Sequence, residues 1–149
     1  MPIRYLPLGA EAELGRLAAY QYLGELVAGR RVLEVGCGRG LALQLFLAQR
    51  AARLVGLDSD LRPAQATLSG APADRIFLRP LRGPRFPLLA GETFDLVAIS
   101  EVRPLLAQPA LFDEVLRALA PGGQVAVWAP SGDHPELASG VSYGALLDL

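Results

Sequence analysis

The chain has 149 residues, 52% of them hydrophobic and 19% charged, with a formal net charge of −1. That length is one domain with room for a substantial core. The near-neutral charge excludes general electrostatic attraction to nucleic acid, and no run reaches the roughly 18 unbroken apolar residues of a membrane span.

All 14 basic residues are arginine. The single cysteine, Cys37, permits no internal disulfide, and residues 1–10 hold Pro2 and Pro7 where a signal peptide has an apolar core. A reducing, cytoplasmic setting is expected. The two prolines keep residues 1–8 out of a regular helix, and this segment is expected to lie across the surface. Leu14, Leu17, Ala18, Leu23, Leu26 and Val27 then recur at helical spacing, so residues 10–27 read as an amphipathic helix ending at Gly29. Its simplest role is to cover one face of a sheet. The alternative is that Tyr20 or Tyr22 reaches a ligand.

The apolar run from Val32 to Val35 stops at Gly36, Gly38 and Gly40, and a helical pattern occupies residues 41–50. Strand, tight turn, helix is the reading. Glycines let the backbone turn sharply and leave no Cβ between main chain and ligand. The helix behind presents unpaired N–H groups and its positive dipole end. A small molecule with at least one anionic group is therefore expected here. A dinucleotide fits poorly, because Leu41 stands where the third glycine of G-x-G-x-x-G belongs. Glu34, two residues before the first glycine, repels a pyrophosphate and attracts an ammonium group.

Residues 53–57 read as the second strand. It ends at Asp58, 24 residues beyond Glu34, about the spacing at which a strand-end acid meets ribose hydroxyls. A nucleoside carrying a ribose, a positive amino group and a carboxylate satisfies these demands, and S-adenosylmethionine has all three. Residues 61–73 read as a helix shortened by Pro63, Gly70 and Pro72, and residues 75–79 as the third strand. Residues 80–91 are rich in proline and glycine. Residues 94–100 form a continuous apolar run of the kind buried on both faces. Residues 109–119 follow as a helix with Pro109 in its first turn. Pro121, Gly122 and Gly123 turn the chain into a fifth strand over 124–128. The alternation predicts an α/β fold: a doubly wound, mainly parallel sheet of about five strands with helices on both faces. Ligands in such sheets sit at the carboxyl ends of the strands, where Glu34, Gly36, Asp58 and Ser100 fall.

Residues 32–40 resemble motif I (E/D-x-G-x-G-x-G) of the class I S-adenosylmethionine-dependent methyltransferases. Val55-Gly56-Leu57-Asp58 resembles their second-strand acid, and Phe94-Asp95-Leu96-Val97-Ala98-Ile99-Ser100 their fourth strand. Leu116-Arg117-Ala118-Leu119-Ala120-Pro121-Gly122-Gly123 resembles their R-x-L-x-P-G-G turn. The resemblance implies S-adenosylmethionine as cofactor and a small-molecule or protein acceptor for its methyl group. It implies a cofactor site made of Glu34, Gly36, Cys37, Gly38, Gly40, Asp58 and Ser100. In that site Glu34 holds the amino group, directly or through water, and the backbone of residues 36–40 approaches the methionine portion. Asp58 takes the ribose hydroxyls, and Ser100 lines the cavity by its backbone. No metal, nucleic-acid or membrane partner is expected.

The chain also departs from that family. The D/N-P-P-Y signature of amino-group nucleic-acid methyltransferases is absent. Val102-Arg103-Pro104-Leu105 stands where many relatives have a histidine pair, and residues 77–82 lack the acid that often meets the adenine amino group. No catalytic base is read: Glu101 and Arg103 face the expected acceptor side, while His134 is read as a solvated loop residue. Cys37 is read as a small packing residue. Arg75, Arg79, Arg82 and Arg85 make either a solvated face or a docking patch for an acidic partner. The organisation is one methyltransferase-like domain: an N-terminal segment and cover helix (1–29), a cofactor-binding core (30–130) and a tail (131–149). The family continues into a sixth and seventh strand, so the tail marks a minimal five-stranded version or a piece of a longer protein. The rival function is a non-catalytic interaction module, its fifth-strand edge open to a partner or a second copy.

Overall fold

Apolar runs flanked by glycine and proline become strands in a computed structural model, which describes residues 3–5, 12–99 and 108–128. The elements are β1 (Ile3–Tyr5), α1 (Ala12–Gly24), β2 (Arg31–Val35), α2 (Leu41–Ala48) and β3 (Arg53–Asp58). There follow α3 (Arg62–Thr67), β4 (Ile76–Pro80), β5 (Phe94–Ile99), α4 (Pro109–Ala118) and β6 (Leu119–Val127). The strands lie in the order β1-β6-β5-β2-β3-β4, and each neighbouring pair is parallel. The five expected strands form the sheet as read, doubly wound, with the order reversing between β2 and β5.

Side-chain alternation divides the core. Leu33, Val35, Val55, Leu57, Val97 and Val125 face α4 and Phe86 on one side of the sheet. Val32, Leu54, Leu96, Ala98 and Ala126 face α1 and α2 on the other. Tyr20 of α1 is buried there, edge-on to Phe46 of α2 with ring centroids 6.2 Å apart. α1 is therefore a cover helix. Residues 81–93 cross from β4 to β5 without a helix.

Three expectations are corrected. Residues 3–5 do not simply cross the surface: Ile3, Arg4 and Tyr5 pair in parallel with Val125, Ala126 and Val127. Pro2 and Pro7 bar a helix but leave an extended stretch between them, and extended backbone seeks a strand edge. The outer edge of the fifth expected strand, β6, is therefore paired along these three residues. Finally, Pro121, Gly122 and Gly123 lie inside β6. Phe94 pairs with Leu119 and Leu96 with Gln124, so two steps along β5 match five along β6. The surplus is absorbed as a bulge at Gly122 (φ +75°), and a Cβ on Gly123 would stand 3.0 Å from the Phe94 carbonyl oxygen.

The opposite edge, β4, is blunted. Arg75 accepts from Leu54 N at 2.8 Å and Leu81 N donates to Asp58 O at 2.9 Å, so odd-numbered residues bond inward. Of the outward positions, Ile76 gives its N–H to Pro72 O at 3.2 Å and Pro80 has none. A local turn and a proline thus remove two of the three outward N–H donors of β4, those of positions 76 and 80.

Candidate functional site

β2 and β3 run side by side, with Glu34 opposite Gly56, so their tips deliver the glycine turn and Asp58 to one place. Beyond Val35 the chain reverses with Gly36, Gly38 and Gly40 at φ +79°, +50° and +75°. L-residues with a Cβ avoid this left-handed region, which is why glycine recurs here.

The turn's own amides are largely spent. Gly36 N and Cys37 N both donate to Leu57 O, at 2.8 and 3.0 Å, and Gly40 N donates to Cys37 O at 2.8 Å. Gly38 N donates to Asp58 Oδ2 at 2.8 Å. Among the described residues, Arg39 alone of residues 36–40 leaves its N–H undonated. A nest of amides that cradles phosphate needs those donors pointing outward.

Asp58 is a hub for three segments. Its Oδ2 accepts from Gly38 N, its Oδ1 from Asp60 N at 3.1 Å, and its carbonyl from Leu81 N. The carboxylate remains half-buried, turned toward the glycine turn. Asp60, beside it, accepts Arg62 N and two guanidinium nitrogens. The Arg62 side chain, then its backbone N–H, hold the Asp60 carboxyl down to about 2. This exposed pair turns the chain into α3.

Glu34 is fully buried beneath the turn, between Gly56 and Ala98 on the neighbouring strands. Gly56 has no room for a side chain: a Cβ there would stand 2.6 Å from Leu43 Cδ1 and 3.1 Å from Cys37 Sγ. Burial first, then the charges of Glu34 and Asp58, push the Cys37 thiol up to about 12. A buried thiol held in this protonated state is a poor nucleophile.

A profile described as a methyltransferase domain matches residues 5–146. The chain belongs to the methyltransferase domain family. It is 34% identical over 114 residues to a probable S-adenosylmethionine-dependent methyltransferase of Mycolicibacterium smegmatis, an alignment covering 75% of this chain and 42% of that protein. The chain thus spans less than half the length of that relative. An S-adenosylmethionine-dependent methyltransferase from Mesorhizobium loti superposes with a TM-score of 0.62 at 25% identity, over 82% of this chain and 54% of that one. The N-methyltransferase NodS of Bradyrhizobium japonicum, solved with S-adenosyl-L-homocysteine, shares the fold with a TM-score of 0.69 at 20% identity, over 92% and 72%.

In this methyltransferase domain the structure brings together Glu34, Gly36, Cys37, Gly38, Gly40 and Asp58. Ser100, Glu101, Arg103 and His134 lie outside the described residues. The arginine cluster does not form one patch. Arg79 is clamped on Glu92 at 2.5 and 3.0 Å, and Arg75 bonds the Ala51 carbonyl. Only Arg82 and Arg85 remain exposed. Glu92, which escaped the sequence reading, also holds Arg53 at 3.2 Å and Leu89 N at 2.9 Å, while Arg53 lies 4.1 Å over the Phe77 ring. One acid thus anchors the crossover against β3 and β4. A lone glutamate in a proline-rich segment carries no local signal of such a role. No helix among the described residues is long and apolar enough to cross a membrane.

Proposed function

We propose that this domain binds S-adenosylmethionine at the tips of β2, β3 and β5 and transfers its methyl group to a small-molecule or protein acceptor. The observation that carries the reading is the Gly38–Asp58 bond. It brings a half-buried carboxylate to the glycine turn while consuming the amide that a phosphate would need. A pyrophosphate would meet the Asp58 carboxylate, with the Gly38 amide already bonded to it. A molecule with a sulfonium, an ammonium and ribose hydroxyls meets complementary groups. The chemistry of the residues present therefore fits this cofactor and disfavours a nicotinamide dinucleotide.

In this reading Asp58 takes the ribose hydroxyls on the lone pairs not used by Gly38 and Asp60. Gly36, Cys37, Gly38 and Gly40 let the main chain approach the amino-acid portion, and Ser100 lines the cavity by its backbone. Glu34 attracts the ammonium from beneath the turn. When bound, the cofactor supplies an electrophilic methyl group on sulfur. The chain's residues bind and orient it, which is most of what an in-line displacement requires. The net charge of −1 argues for an acceptor other than nucleic acid, and the single, inert cysteine suits a reducing, cytoplasmic setting.

A thermal shift assay tests the proposal. S-adenosylmethionine and S-adenosylhomocysteine each raise the melting temperature with a concentration dependence set by mass action. No shift from either at millimolar concentration refutes cofactor binding.

A further inference from the structure

The proposed cofactor site lies at the carboxyl ends of the strands. Their amino ends carry a second concentration of charge. Arg31 opens β2 and Arg53 opens β3, and the two stand directly opposite each other in the sheet. Leu54 pairs with Ile76, which sets Arg75 level with Arg53 on its other side. Three arginines thus stand in a row across neighbouring strands, where like charges repel. The turn before β3 adds two more: Gly29 N donates to Arg50 O at 2.9 Å, and Ala52 N to Arg30 O at 2.8 Å.

The acids at this end answer only part of that charge. Asp95 takes two nitrogens of Arg31, at 2.9 and 3.3 Å, and Glu92 takes Arg53 while also holding Arg79. Arg75 has only the Ala51 carbonyl, and Arg30 only the Gln124 side-chain oxygen at 3.5 Å. Among the described residues, the exposed Arg50 side chain has no hydrogen bond or ion pair, and the exposed acids Glu25 and Asp74 form no ion pair. Three guanidinium groups therefore keep donors free. Arg50 also holds a left-handed backbone, φ +64°, the one residue with a side chain to do so among the described residues. It directly follows the C-cap of α2, where helices commonly place glycine because glycine takes that conformation without penalty. An arginine kept at a position that suits glycine points to a task for its side chain.

We propose that the amino end of the sheet is a docking surface for an acidic protein segment, whose carboxylates are taken by Arg30, Arg50 and Arg75 as Asp95 takes Arg31. Asp95 and Glu92, interleaved in the row, favour separate, spaced carboxylates over the continuous charge of nucleic acid. Strands of five and six residues, about 17–20 Å long, separate this surface from the glycine turn. Docking there does not depend on cofactor binding.

Calorimetric titration of the full chain with an octaglutamate peptide at low salt is the test. The peptide binds, and binding weakens as salt is raised. Arg30→Gln combined with Arg50→Gln weakens it by about tenfold or more, the scale of one charge-assisted hydrogen bond. Arg82→Gln combined with Arg85→Gln removes the same charge elsewhere and leaves affinity unchanged. Arg50→Gly separates binding from folding: glycine suits the left-handed site, so the melting temperature holds while peptide affinity falls as in Arg50→Gln. No binding at millimolar peptide overturns the proposal. So does an equal loss in the two paired variants, which signals diffuse attraction, or full affinity in Arg50→Gly. Tighter binding of a single-stranded oligonucleotide with eight phosphates, or of phosphatidylglycerol vesicles, overturns the assignment to an acidic protein.

Discussion

Gly38 N lies 2.8 Å from Asp58 Oδ2 across 20 positions of sequence, tying the turn between β2 and α2 to the tip of β3. This one bond shapes the turn and aims the carboxylate. Asp58→Ala removes both the turn's anchor and the acceptor for ribose. Cofactor affinity falls by about 1.5–3 kcal/mol per lost charge-assisted bond, read by calorimetry. Asp58→Asn keeps an acceptor for Gly38 and loses the charge, so its affinity falls less. An Asp58→Ala variant that binds as tightly as the parent removes Asp58 from the site.

The glycines of the site differ in kind. Gly56→Ala places a Cβ 2.6 Å from Leu43 Cδ1 and 3.0 Å from Leu78 Cδ2, and is expected to cost about 1–3 kcal/mol of stability through overpacking. A Cβ on Gly38 meets nothing within 4 Å, but its φ of +50° is left-handed, so Gly38→Ala costs about 1–2 kcal/mol from backbone strain. Chemical denaturation measures both. Pairing either substitution with Leu43→Ala separates them: the second mutation relieves Gly56→Ala and leaves Gly38→Ala unchanged.

Glu92 holds the crossover to β3 and β4. Its side chain is 10% exposed and that of Arg79 is 16% exposed. Glu92→Ala removes the carboxylate shared by two part-buried guanidinium groups and is expected to destabilise by about 1–3 kcal/mol. The crossover at residues 81–93 then becomes the first segment to gain hydrogen exchange.

Acid sensitivity follows from the same acid. The Arg79 guanidinium holds the Glu92 carboxyl below its ordinary value against the opposing effect of burial, with help from Leu89 N–H. Arg31 does the same for Asp95, and Arg117 for Glu114. These carboxylates bind protons less readily folded than unfolded. Their stabilisation is fully present above the unfolded value of about 4 and is lost as pH falls through the lower folded values. Melting temperature therefore drops as pH falls below about 4, and Glu92→Gln flattens that slope while lowering the plateau above it. An unchanged slope in Glu92→Gln contradicts the assignment.

Cys37 should resist thiol reagents. Its thiol, buried and pushed up to about 12, carries almost no thiolate at pH 8, so labelling is limited by opening of the native state and becomes rapid in denaturant. Fast native labelling at pH 8 would show that the turn is open.

Local chemistry alone determined the glycine turn and most of the strands and helices, because apolar periodicity, glycine and proline act over a few residues. Glu34 and Asp58 could be placed at neighbouring strand tips from spacing, since parallel strands joined by a helix end on the same side. Tertiary structure alone decided where the polar groups point. It spent the turn's amides on Leu57 and Asp58, buried Glu34 between Gly56 and Ala98, drew Arg79 onto Glu92, and paired Ile3 to Tyr5 with β6. Most of these partners lie many positions away along the chain. A hydrogen bond needs its two atoms within about 3 Å, a condition that strand register satisfies and residue order does not reveal.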